Sequence, residues 1–121
     1  MLTVSSAKYL LAIYRLSEGL AVRSVDVAEA LGVSKPSVVK MLHTLAAGGY
    51  IHKESYGNIQ LTPLGKEVAG RMDSQCGALE RFFLDELHVS GETAKKDAMA
   101  CLGMLSEESL SKLADPQQAK K

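Results

Sequence analysis

One stretch, RSVDVAEALGVSKPSVVKMLHTLAAGG from Arg23 to Gly49, limits what this chain can fold into more than any other. Ser24 stands ahead of Val25, Val27, Ala28 and Leu31, which recur at helical spacing, while Asp26 and Glu29 suit the positive N-terminal end of a helix. Gly32 breaks that helix where the backbone must turn left-handed. Ser34 is the next N-cap, and Pro36 falls just inside a second helix, where its missing N–H costs nothing. Val38, Val39, Met41, Leu42 and Leu45 give this second helix a buried side. Ser34, Lys35, Ser37, Lys40, His43 and Thr44 are left for the other. A short helix, a glycine turn and a helix with hydroxyls and lysines on its exposed N-terminal half form a helix-turn-helix, whose second helix is shaped to enter a DNA major groove.

The chain has 121 residues, enough for one compact domain or a small domain with an appended element. Its formal net charge is zero, but the charge is unevenly spread. Residues 1–72 carry 8 basic and 5 acidic groups, a net +3, and residues 73–121 carry 6 and 9, a net −3. A basic first part and an acidic second part suit a DNA-reading module followed by something else. Cys76 and Cys101 are too few for a disulfide framework and lack CxxC spacing. No apolar run approaches membrane-spanning length, so a cytoplasmic protein with reduced thiols and no membrane partner is expected. No Gly-rich phosphate loop, nucleophile elbow, HExxH or paired catalytic carboxylates occur, which argues against an enzyme.

Ahead of the helix-turn-helix, Ser5 or Ser6 is expected to cap a first helix carrying Tyr9, Leu10, Ile13 and Leu16, ended by Gly19. Leu20–Arg23 reads as an extended link. After Gly48 and Gly49, Tyr50–Glu54 and Ile59–Thr62 are short strands around a turn at Ser55–Asn58. A hairpin directly after a recognition helix is a wing, and Lys53, Tyr56 and Arg23 are candidates for phosphate or minor-groove contact. Thr62–Pro63 starts a long helix over about residues 63–87. Gly70 and Gly77 weaken it, so close packing against another helix is expected at both. His88–Gly91 is a loop, Glu92–Leu102 a helix, and Ser106 caps a last helix through Leu113. The tail over 116–121 reads as frayed.

The expected architecture is therefore mainly α. A winged helix-turn-helix DNA-binding domain over 1–72 is followed by a helical dimerisation domain over 73–115. The second part is too short to bury its own apolar residues. Pairing with a second copy solves this and supplies the two-fold symmetry of a palindromic operator. Leu79, Phe82, Phe83, Leu102, Leu105 and Leu110 are the candidate dimer contacts. Ser34, Lys35, Pro36, Ser37 and Lys40, with Arg23, Lys53 and Tyr56, are the candidate contacts to double-stranded DNA.

AKYLLAIYRL, VAEALGVSKPSVVKMLHTLAAGGYI, QLTPLGKEVA, ALERFFLDELHV and LSEESLSKL occur in an order that resembles the metal-dependent repressors of the diphtheria-toxin-repressor and manganese-transport-regulator family. The resemblance implies a sequence-specific homodimeric repressor, here like the shorter branch without an SH3-like domain. It also implies activating metals held by the first, fourth and fifth helices, and there the sequence departs. Lys8 and Leu11 stand where carboxylates are expected on the first helix. Cys76 and Glu80 replace the histidine–glutamate pair of the fourth. Met99, Leu102 and Gly103 stand where the fifth supplies ligands. Only Cys76 and Glu80 remain as metal candidates, and a hard Mn(II) or Fe(II) site cannot be built from them. The sequence therefore suggests a regulator not activated by Mn or Fe, with the Lys8 ammonium doing the ion's electrostatic work toward Glu80. The alternatives are a divalent metal ion at a non-standard Cys76/Glu80 site, and a winged helix used for protein binding.

Overall fold

The computed structural model describes residues 2–18, 21–54 and 57–114. The chain divides between Gly70 and Arg71 into two units. Among the described residues no helix is long and apolar enough to cross a membrane.

In the first unit, α1 spans Val4–Leu16 and is capped by Thr3, not by Ser5 or Ser6. The Ser6 N–H donates to Thr3 Oγ1 at 3.1 Å and the Thr3 N–H donates to Ser6 Oγ at 2.8 Å. This reciprocal pair satisfies two N–H groups the helix itself leaves open. The helix closes at Leu16, with the Ser17 N–H on the Ile13 carbonyl at 3.0 Å; the expected stop at Gly19 lies outside the described residues. The presumed link that follows is in part a strand. β1 (Val22–Arg23) pairs antiparallel with β3 (Asn58–Leu61), which also pairs with β2 (Ile51–Lys53), so the sheet order is β1-β3-β2. Val22 faces Ile59, and Ile51 faces Leu61.

Between these strands lie α2 (Ser24–Leu31) and α3 (Lys35–Ala47). Ser24 is the first residue of α2 and Arg23 its N-cap, because the Asp26 carboxylate accepts the Arg23 N–H at 2.9 Å. Gly32 ends α2 at φ 65°, ψ 36°, in the left-handed conformation its position requires. Leu10, Leu11 and Ile13 of α1, Val27 of α2, Val38, Leu42 and Leu45 of α3, and Val22, Ile51 and Ile59 of the sheet are all buried. Burying each of the larger side chains stabilises the fold by about 1.5–3 kcal/mol. Their shared core holds α3 at a fixed angle to the wing.

Thr62 joins wing to helix. Its hydroxyl donates to the Gly49 carbonyl at 2.6 Å and accepts the Gly65 N–H at 3.0 Å, starting α4 (Pro63–Asp85). A Cβ on Gly65 would overlap the Tyr50 carbonyl oxygen. One on Gly70 would lie 3.4 Å from the Tyr14 hydroxyl, so Gly70 does face a helix, as expected.

The second unit contains the rest of α4, α5 (Gly91–Leu102) and α6 (Glu107–Ala114). α4 stops at Asp85, two residues before the expected end, and His88 follows in the left-handed region at φ 55°. Ser90 caps α5 by accepting the Thr93 N–H at 3.1 Å, and Ser106 caps α6 by accepting the Ser109 N–H at 3.2 Å. Cys76, Leu79, Ala94, Ala98 and Leu110 are buried. Gln75, also buried, donates to Glu107 Oε1 at 3.4 Å, and Arg71 Nε lies 3.8 Å from the same oxygen. Gly77 departs from expectation. Among the described residues a Cβ there would meet the end of the Arg81 side chain, at 3.6 Å, and no neighbouring helix.

Candidate nucleic-acid interface

The exposed half of α3 is built from its cap outward. Ser34 has extended backbone (φ −74°, ψ 153°) and its Oγ accepts the Ser37 N–H at 3.3 Å. The two hydroxyls are also hydrogen-bonded to each other at 2.8 Å. One of them must donate and the other accept, so the accepting hydroxyl keeps its own O–H for an outside acceptor and the donating one keeps a lone pair. Pro36 occupies the first turn, where no backbone N–H is needed. Ser34, Lys35, Pro36, Ser37, Lys40, His43 and Thr44 are all exposed, while Val38, Leu42 and Leu45 anchor the helix from below. Val39 and Met41, expected on the buried side, are half-buried at its margin.

No carboxylate occurs anywhere in α3. Its N-terminal half therefore presents two ammonium groups, two hydroxyls and the positive end of a 13-residue helix. Arg23 and Lys53 are also exposed, on β1 and β2 respectively. They line one cleft with Ser24, Val25, Lys35, Val39 and Gly57, a grouping that no local sequence pattern announces. Tyr56 lies outside the described residues.

The metal candidates do not assemble a centre. Cys76 is fully buried and its Sγ donates to Glu80 Oε1 at 3.8 Å, one helical turn along α4. Among the described residues no three His, Cys, Asp or Glu side chains come together as a set able to hold a metal ion. Lys8 is exposed, Leu11 buried, Met99 and Leu102 half-buried, and Gly103 ends α5. One thiol and one carboxylate do not satisfy the hard, oxygen-rich, six-coordinate demand of Mn(II) or Fe(II). The residues present do not fit such an ion.

The candidate dimer contacts divide in two. Leu79 and Leu110 are each only 3% exposed in the single chain, so they offer a second copy no surface, contrary to the sequence reading. Phe82 and Leu105 are exposed, and Phe83 and Leu102 are half-buried. Phe82 meets Phe83 edge to face with ring centroids 5.8 Å apart. Leu84, Leu87 and Met104 are further exposed apolar side chains of the same unit, Met104 at 81%.

Comparison with known proteins gives a consistent picture. A sequence model described as iron dependent repressor, N-terminal DNA binding domain, matches residues 1–59. The transcriptional regulator MntR of Salmonella typhimurium is 40% identical over 88 residues, covering 73% of this chain and 55% of that protein. The HTH-type transcriptional regulator MntR of Bacillus pumilus is 36% identical over 117 residues, covering 95% of this chain and 80% of that protein. A solved structure of a manganese-dependent transcriptional repressor in complex with manganese superposes with a TM-score of 0.81 at 23% identity, over 94% of this chain and 52% of that one. The chain thus spans little more than half the length of the Salmonella relative and of that structure. These relatives are regulators and not enzymes.

Proposed function

The chain belongs to the iron-dependent repressor family, and from that premise we propose that it is a sequence-specific repressor that reads double-stranded DNA through the N-terminal half of α3. The observation that carries this is the exposed, carboxylate-free face formed by Ser34, Lys35, Pro36, Ser37 and Lys40 on a helix anchored in the core. The hydroxyls and the Lys40 ammonium match the donor and acceptor edges of bases in a major groove. Arg23 and Lys53 supply cationic contacts on either side. A protein-binding winged helix would have no need of a face that carries cations and hydroxyls without a carboxylate. The chain works in the bacterial cytoplasm, where duplex DNA is accessible.

Two further features belong to this reading. The chain acts as a homodimer, its second copy covering the exposed apolar side chains Phe82, Leu84, Leu87, Met104 and Leu105 of the second unit. It also binds its operator without Mn(II) or Fe(II), because Lys8 puts a cation on α1 where the family's resemblance calls for a carboxylate, and Cys76 with Glu80 makes too small a donor set.

The test is selection of an operator from random duplexes, followed by affinities of Lys35→Ala and Lys40→Ala. Lys40→Ala should lose about 1–3 kcal/mol of specific binding if its ammonium reaches a base edge. Unchanged affinity in both variants would contradict the assignment of the reading face.

A further inference from the structure

Arg23, Lys35 and Lys53 are far apart in sequence and belong to three different elements, β1, α3 and β2, yet they line one open cleft of about 430 Å³. Val25 and Val39 also line it, and so does Ser24, the first residue of α2. Val25 is 47% exposed, a large solvent-facing apolar group in the same cleft. The Asp26 carboxylate holds the Arg23 backbone N–H at 2.9 Å, but neither acidic side chain of α2 lines the cleft itself. Asp26 and Glu29 line a separate groove with Leu16, Ala21 and Ala30. Among the described residues no carboxylate lines the cationic cleft.

Three like charges around one cleft repel each other, and no carboxylate lines it, so an anion is the natural occupant. A cleft of about 430 Å³ is larger than a lone phosphate needs. Valine side chains among the cations also suit an occupant that is anionic at one point and apolar beside it. A backbone phosphodiester with its flanking deoxyribose has that character.

Resting on the DNA-reading function above, we propose that the cleft lined by Arg23, Lys35 and Lys53 seats a single phosphodiester of the operator backbone, making Lys35 a phosphate contact and leaving base readout to Ser34, Ser37 and Lys40. The three cations then act as one site. Counterion release depends on the number of phosphates neutralised, at about 0.9 per phosphate in the slope of log K against log salt. Three cations sharing one phosphate together account for a single step of that size.

The experiment compares wild type with Arg23→Ala, Lys53→Ala and the triple variant Arg23→Ala/Lys35→Ala/Lys53→Ala. Salt-dependent affinity is measured on the selected operator and on a random duplex. The expected result is a total slope loss per protomer of about 0.9 in the triple variant, with single-variant losses that do not add. The ratio of operator to random affinity should stay within twofold of wild type. Methylphosphonate substitution scanned along the operator should reveal one backbone position per half-site whose neutralisation weakens wild type and leaves the triple variant unaffected. A slope loss near 2.7, as for three separate phosphates, would overturn the shared seat, as would an unchanged slope. Wild type that binds the operator but lacks such a methylphosphonate position overturns this proposal alone. Wild type that binds neither duplex overturns the DNA-reading function itself.

Discussion

At Gly65 the backbone of α4 runs so close to the Tyr50 carbonyl that a Cβ would overlap its oxygen, and that oxygen, being main chain, cannot swing aside as a side chain would. The contact holds the start of α4 against the wing. Gly65→Ala should therefore lose about 1–3 kcal/mol of stability despite alanine's better helix propensity. Gly77 is the opposite case, since among the described residues the end of the long Arg81 side chain is all that lies near its missing Cβ. Gly77→Ala should stabilise the chain by about 0.8–1 kcal/mol. Urea unfolding of the two variants checks both signs; a stabilised Gly65→Ala would mean that Tyr50 and α4 are not held together as described.

α3 begins where Ser34 accepts the Ser37 N–H, and Ser34→Ala should cost about 1 kcal/mol by removing that cap. Ser34→Asp retains an acceptor, so it should preserve thermal stability while weakening DNA binding through its added negative charge. Equal loss of stability in both variants would contradict the capping role. This element was the most legible in sequence, because Gly32, Ser34 and Pro36 each constrain the backbone by a different local mechanism. β1 was not legible. Two residues have no periodicity, and Val22 and Arg23 become a strand only by pairing with Ile59 and Asn58, far along the chain. The caps at Thr3 and Arg23 were misread for a related reason. Several polar side chains stood within reach of each helix start, and only the folded backbone decides which one bonds. The exposed positions of α3 followed from helical spacing, whereas the cleft of Arg23, Lys35 and Lys53 required three elements to be brought together. Apolar spacing likewise marked Leu79 and Leu110 as buried without saying that their own chain covers them.

For the whole molecule, the proposed dimer and the proposed independence from metal stand on separate observations. Phe82 is 44% exposed, so Phe82→Glu should leave the protomer folded while placing a charge in the interface. Sedimentation at micromolar concentration should give a dimer for wild type and a monomer for the variant; a wild-type monomer would contradict the pairing. The fold is like that of a solved manganese-dependent repressor, while among the described residues no three His, Cys, Asp or Glu side chains gather to hold a metal ion. On the proposed reading, this chain binds its operator through the α3 face without needing the ion. Operator affinity measured in excess EDTA, and again after saturating Mn(II), decides this. The predicted result is the same dissociation constant in both conditions. Loss of binding in EDTA with recovery in Mn(II) would contradict it.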